Sequence, residues 1–115
     1  MVEDNPNHIE LCKEHLSPEE FDLFIARCGT ECLAMAKDRP YDVILLDQML
    51  PDTNGMDLLP QLKLLQPNSL ILFVSAADDP DISYKAMTAG ASDYVVKSFG
   101  YYRTLRDRIH EARGE

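Results

Sequence analysis

The sequence predicts an α/β domain wound on both faces of a parallel sheet, and three observations carry that prediction. Val43-Ile44-Leu45-Leu46 and Leu70-Ile71-Leu72-Phe73-Val74 are unbroken apolar runs of strand length, the pattern of strands covered on both faces. Amphipathic stretches of helical period alternate with them. Each run also closes on a polar residue: Asp47, Ser75 and, after Tyr94-Val95-Val96, Lys97.

The elements follow in order. Met1-Val2 is a short apolar start ahead of Glu3-Asp4. Asn5 caps a helix with Pro6 at its first position, and Ile9, Cys12 and Leu16 share one face. Ser17 and Glu20 have the capping-box spacing of another helix start, but the β-prone Phe21–Ala26 that follows favours a loop before a strand. Thr30 caps a helix that runs to about Arg39 and is stopped by Pro40. After Asp47, residues Pro51, Asn54 and Gly55 make a loop. The helix from Met56 to Leu65 must hold Pro60 in its first turn, since an interior proline costs a hydrogen bond. Asp79-Pro80 opens a helix that Gly90 ends, with Ile82, Ala86 and Met87 inward. A final helix carries Tyr102, Leu105, Ile109 and Ala112 as its buried stripe.

At 115 residues the chain suits one domain, and no apolar run approaches the roughly 18 residues of a membrane-crossing helix. Twenty acidic residues against eleven basic ones give a formal charge of −9. That balance argues against direct nucleic-acid binding, which needs clustered Lys and Arg, and suits a cation site. Three cysteines form no paired framework and point to reduced thiols in the cytoplasm.

In open parallel sheets the ligand site lies at the carboxyl ends of the strands. Glu3, Asp4, Asp47, Ser75 and Lys97 all fall at such ends and together make three carboxylates, a hydroxyl and an ammonium. Magnesium takes hard oxygen ligands, which Asp4 and Asp47 supply, while Glu3 can hold a bound water. Asp47, at a strand tip, is the best-placed carboxylate to attack phosphorus and carry an acyl phosphate. Lys97 can pair with phosphoryl oxygens and Ser75 can hydrogen-bond one.

The sequence resembles the receiver domain of two-component response regulators over almost its whole length. The resemblance is carried by Val2-Glu3-Asp4-Asn5-Pro6, by Tyr41 to Gly55 around Asp47, by Val74-Ser75-Ala76 and by Ala89 to Lys97. It implies a flavodoxin-like fold with five parallel strands in the order 2-1-3-4-5, and a single receiver domain with no output domain after Glu115. It implies phosphorylation of Asp47 by a sensor histidine kinase or phosphotransfer protein. Mg²⁺ would be held by Asp4, Asp47 and the backbone carbonyl of Met49. Ser75 and Tyr94 would be the switch pair, altering a partner surface at the last two helices, where a homodimer can also form. Beyond accepting the phosphoryl group and slowly hydrolysing it, such a domain is not an enzyme.

Two departures stand out. The first strand has only Met1 and Val2 before the acidic pair, which fits a trimmed start, a weakened domain or a strand lent by another chain. Ser98 follows Lys97 where the family usually has a proline, commonly in a cis bond. Both features favour, as the alternative reading, a pseudo-receiver that binds proteins without phosphorylation. An aspartate-nucleophile phosphatase would need an acid where Met49 stands, and a flavin protein a hydroxyl-rich loop where Glu3-Asp4-Asn5-Pro6 stands.

Other clusters have plainer explanations. Asp78, Asp79 and Asp81 suit a helix start, and Cys28 and Cys32 suit buried thiols. His8, Cys12 and His15 share a helical face without a fourth zinc ligand. The arginines of the last helix balance its dipole or face a protein partner.

Overall fold

The structure, a computed structural model, describes all 115 residues. Five helices flank a parallel sheet: α1 (Pro6–His15), α2 (Gly29–Asp38), α3 (Gly55–Leu65), α4 (Pro80–Thr88) and α5 (Leu105–Ala112). The strands are β1 (Val43–Asp47), β2 (Leu70–Ser75) and β3 (Asp93–Val96), in the order β1-β2-β3, with all pairs parallel. The α/β class is as expected, but three strands are extended rather than five. Val2 makes single parallel bridges to Ala26 on one side and Leu46 on the other. Phe21–Ala26 is therefore not a strand beyond Ala26. β-propensity yields a ladder only where a partner strand continues, and the short start at Met1-Val2 supplies one position.

The sheet divides the core into two apolar layers, as buried-strand runs require. One layer packs Leu46, Ile71 and Phe73 against Leu58, Leu59 and Leu62 of α3 and Ala86 of α4. The other packs Leu45, Leu72, Val74 and Val95 against Cys12 and Leu16 and against Leu105 and Ile109. Successive side chains of a strand serve opposite layers, so each apolar run needs no polar position.

Several local expectations hold. Asn5 accepts from Asn7 N–H at 2.9 Å and His8 N–H at 3.3 Å, capping α1. Ser17–Glu20 is a turn. Asp79 caps α4 through Asp81 N–H at 2.9 Å, and Gly90 follows that helix with φ +116°. Others are corrected. Thr30 lies inside α2, and the helix N-terminus is instead capped by Asp52, which accepts from Gly29 N–H (2.7 Å) and from Thr30 N–H and Oγ1 (both 3.0 Å). Pro60 sits past the first turn of α3, at an exposed position. Met87 is exposed, and Cys28 is only half-buried. A 3₁₀ turn, Tyr101–Arg103, precedes α5, and Tyr101 rather than Tyr102 is the buried tyrosine, on the face it shares with Leu105 and Ile109. The α5 arginines pair within the chain: Arg108 forks onto Asp93 at 2.7 and 2.9 Å, and Arg106 meets Glu20 at 2.7 Å.

Candidate functional site

The acidic site forms where the strands end. β1 delivers Asp47, β2 delivers Ser75, and Lys97 follows β3 with its N–H on Ser75 C=O at 2.7 Å. Glu3 and Asp4 arrive from the adjacent position because Val2 is anchored to β1, through Leu45 C=O at 2.7 Å and Asp47 N–H at 3.1 Å. The loop after Asp47 returns tightly. Gly55 N–H reaches Gln48 C=O at 2.8 Å, and a Cβ on Gly55 would lie 2.6 Å from Asp47 O and 2.9 Å from the Phe73 ring. Glycine is thus required for that approach.

Lys97 is the centre of the site. Its ammonium lies 2.8 Å from Glu3 Oε1 and 2.9 Å from Asp47 Oδ2, with all three side chains largely out of solvent. One ammonium between two buried carboxylates leaves a net negative charge in a poorly hydrated place. Burial, with Glu3 beside it, pushes Asp47 up to about 7 despite Lys97. Burial also works against ionised Glu3, but hydrogen bonding with Asp47 and Lys97 outweighs it and holds Glu3 below the ordinary range. Burial opposes the Lys97 charge too, and the two carboxylates overcome it and hold the ammonium above its ordinary value.

Asp4 is exposed at the rim, and its carboxylate completes a cluster with Glu3 and Asp47 whose donor oxygens lie within 4.8 Å of one another. Hard carboxylate oxygens converging from three residues suit a divalent metal ion, and the excess negative charge favours one. The structure therefore brings together Glu3, Asp4, Asp47 and Lys97 as expected.

Ser75 ends β2 next to Lys97, and Tyr94 lies two residues earlier on the β3 side of Phe73. Ser75 Oγ accepts from Ala77 N–H at 3.1 Å, and the Tyr94 hydroxyl donates to Ala77 C=O at 2.6 Å. The Tyr94 ring stacks on Phe73 at 5.8 Å, so it packs on the core as well. The Met49 side chain is exposed, and its carbonyl accepts no hydrogen bond from the protein. The Lys97–Ser98 bond is trans like every other peptide bond, and Ser98 N–H closes a tight turn on Val96 C=O at 2.8 Å.

One neighbour was not among the expected site residues. His8 Nδ1 lies 3.3 Å from Glu3 Oε1, 3.4 Å from Lys97 Nζ and 3.4 Å from the Tyr101 hydroxyl. Its only signal in the sequence is nearness to the acidic pair. A helix starting at Pro6 turns its first-turn side chains back over the residues before it.

Known proteins resemble this chain in sequence and in fold. The family model described as "Response regulator receiver domain" matches residues 1–110. Regulatory protein LuxO of Vibrio vulnificus is 36% identical over 97 residues, covering 84% of this chain and 21% of that protein. Cell cycle transcriptional regulator CtrA of Caulobacter vibrioides is 32% identical over 110 residues, covering 96% and 47%. The chain thus spans about a fifth to about a half of these relatives. The BeF3-activated receiver domain of DrrB from Thermotoga maritima superposes with a TM-score of 0.85 at 25% identity, covering 99% of this chain and 94% of that one.

The chain belongs to the response regulator receiver domain family, the regulatory, signal-receiving modules of two-component systems. The pseudo-receiver alternative finds no support, since the acidic residues and the lysine are assembled despite the short start. No helix is long and apolar enough to cross a membrane.

Proposed function

We propose that this domain is switched by phosphorylation of Asp47. The observation that carries the reading is the Lys97 ammonium bridging Asp47 and Glu3 at the strand ends, beside the carboxylate of Asp4. One Asp47 oxygen attacks the phosphorus of a phosphohistidine on a sensor kinase or phosphotransfer protein. The new P–O bond forms as the P–N bond breaks, and the imidazole leaves with the electron pair and takes up a proton from water. Lys97 then trades its contact with Asp47 for a phosphoryl oxygen, and Ser75 Oγ donates to another.

Asp4, Asp47 and the free carbonyl of Met49 would hold Mg²⁺, and Glu3 would hold one of its waters. The ion's chemistry when bound is to offset the charge of the phosphoryl oxygens. Once Ser75 leaves Ala77, Tyr94 loses its partner geometry and turns inward. This changes the α4, β3 and α5 surface that a downstream protein, or a second copy, reads. The domain would catalyse only its own phosphorylation and slow hydrolysis, in the cytoplasm. The single bridges of Val2 are read as preserving the five-position order 2-1-3-4-5 in vestigial form.

The test is intact mass after incubation with Mg²⁺ and a small phosphodonor, wild type beside Asp47→Asn. Gain of one phosphoryl group in the wild type alone is the expected result. Labelling that survives Asp47→Asn, or none in a folded wild type that also fails to bind BeF3, overturns the assignment.

A further inference from the structure

The chain between Asp47 and α3 closes on itself as a small hairpin. Met49 and Asn54 bridge antiparallel, flanked by Leu50 N–H on Thr53 C=O (3.2 Å) and Gly55 N–H on Gln48 C=O (2.8 Å). Both bonds belong to neighbouring residues, so Met49 and Asn54 are a pair that exchanges none. The N–H and C=O of such a residue point away from the opposite strand. The Met49 carbonyl therefore faces out of the hairpin, and no N–H of the protein meets it.

The tip of the hairpin is held from outside it. Asp52 reaches the first turn of α2, where Oδ1 accepts from Gly29 N–H (2.7 Å) and Oδ2 from Thr30 N–H and Oγ1 (3.0 Å each). Cys28, in the cap position of that helix, makes no side-chain hydrogen bond to it, so the tie serves α2 as well as the hairpin. The Gly29 and Thr30 donors favour the ionised carboxylate and hold Asp52 below its ordinary range. Thr53 lies against the same helix start: a Cβ on Gly29 would come within 2.5 Å of its Cγ2. The hairpin is thus pinned at its base by Gly55 and at its tip by Asp52, and Met49 lies between the two.

We propose that Asp52 is a positioning residue for the cation site, its tie to α2 fixing the hairpin and with it the direction of the Met49 carbonyl. The inference rests on the reading of Met49 as a cation ligand given above. Asp52 then stands behind a ligand as outer-shell partners do, and loss of such partners typically costs about 10–100-fold in metal affinity. Coupling between two sites is reciprocal. A tie that helps to hold the cation is itself tightened when the cation binds, and the first turn of α2 should register it.

The test uses Mg²⁺ alone, with amide exchange followed by ¹⁵N NMR and affinity measured by calorimetric titration. In the wild type, Mg²⁺ should slow exchange of the Gly29 and Thr30 amides by at least about threefold. The Asp81 amide, capped in the same manner by Asp79 on α4, should be unaffected. Asp52→Ala should bind Mg²⁺ at least about tenfold more weakly. Asp52→Asn loses the same charge but keeps an oxygen for Gly29 N–H, and should recover most of that affinity. Ser69→Ala, which removes a buried hydroxyl near Gln66 at the far end of the sheet, should bind as the wild type does. Equal weakening in Asp52→Ala and Asp52→Asn would make charge alone the cause and overturn the positioning role. Equal weakening in Asp52→Ala and Ser69→Ala, or affinity in Asp52→Ala within about twofold of the wild type, overturns it too. The exchange measurement needs no variant: Gly29 and Thr30 amides indifferent to bound Mg²⁺ overturn the role even if Asp52→Ala does not fold. A wild type that binds no Mg²⁺ at millimolar concentration is a distinct result, which overturns the cation reading itself and the role of Asp52 with it.

Discussion

Ser75 and Tyr94, from neighbouring strands, are joined through one residue: Ser75 Oγ holds the N–H of Ala77 at 3.1 Å and the Tyr94 hydroxyl holds its carbonyl at 2.6 Å. The loop after β2 is therefore pinned on both sides of a single residue. Tyr94→Phe keeps the ring stacked on Phe73 and removes only the bond to Ala77 C=O. The expected cost is about 1 kcal/mol in urea unfolding, with faster exchange of the Ala77 amide. Unchanged exchange at Ala77 would show that the hydroxyl does not hold the loop.

Asp47 makes the metal-free domain sensitive to pH. Its carboxyl is raised from 3.8 in the unfolded chain to about 7 in the folded one, first by burial and then by Glu3. A raised pKa means that the folded state holds the proton more tightly. The associated stability is complete below about pH 4 and is lost as pH rises through about 7. Asp47→Asn has no such proton to lose. In chelator, the variant should gain on the wild type by more than about 1 kcal/mol between pH 4 and pH 8, measured by denaturant titration. A gap that stays constant with pH would be incompatible with a buried, proton-holding Asp47.

Asp4 is the exposed arm of the carboxylate cluster, so on the proposed reading its charge should serve cation binding more than folding. Millimolar Mg²⁺ should raise the melting temperature of the wild type, since a ligand at 100 times its Kd stabilises by about 2.7 kcal/mol. Asp4→Asn should unfold within about 0.5 kcal/mol of the wild type in chelator, as surface changes usually do. It should lose most of the Mg²⁺ shift. A full shift in Asp4→Asn would remove Asp4 from the metal site.

How far the sequence could be read depended on whether the relevant pattern was local. Asp47, Ser75 and Lys97 each end an apolar run, so their convergence follows from the parallel sheet alone. Glu3 was legible for the same reason, even though only Val2 ahead of it bridges to the sheet. His8 was not, because its contacts depend on Lys97 and Tyr101, which come from the far end of the chain. Asp52 was missed as the cap of α2 because it reaches Gly29 from 23 residues away, where capping patterns look three residues ahead. Phe21–Ala26 has strand composition, but its ladder depends on how much chain lies beside it. Tyr101 and Tyr102 both lie about one turn ahead of Leu105, so the periodic pattern alone did not decide which of them is buried.

Gln66 shows the same non-local logic at the opposite end of the sheet from the acidic site. Its side chain is buried and fully used: Nε2 donates to Ala36 C=O (2.8 Å) and Arg39 C=O (2.7 Å), while Oε1 accepts from Tyr41 N–H (2.9 Å) and the Ser69 hydroxyl (3.0 Å). One amide thereby closes the end of α2, the approach to β1 and the α3–β2 loop. Gln66→Ala would leave two carbonyls and one N–H without partners in a place that water reaches poorly. Each such group costs about 1–3 kcal/mol, so a loss of about 3 kcal/mol or more is expected. Gln66→Glu keeps the acceptor but turns a donor pair into a charge facing two carbonyls, and should be at least as damaging at neutral pH. Urea unfolding of both variants measures the effect. A loss under about 1 kcal/mol in Gln66→Ala would mean that solvent or neighbouring groups replace the amide, and that Gln66 does not organise this end of the fold.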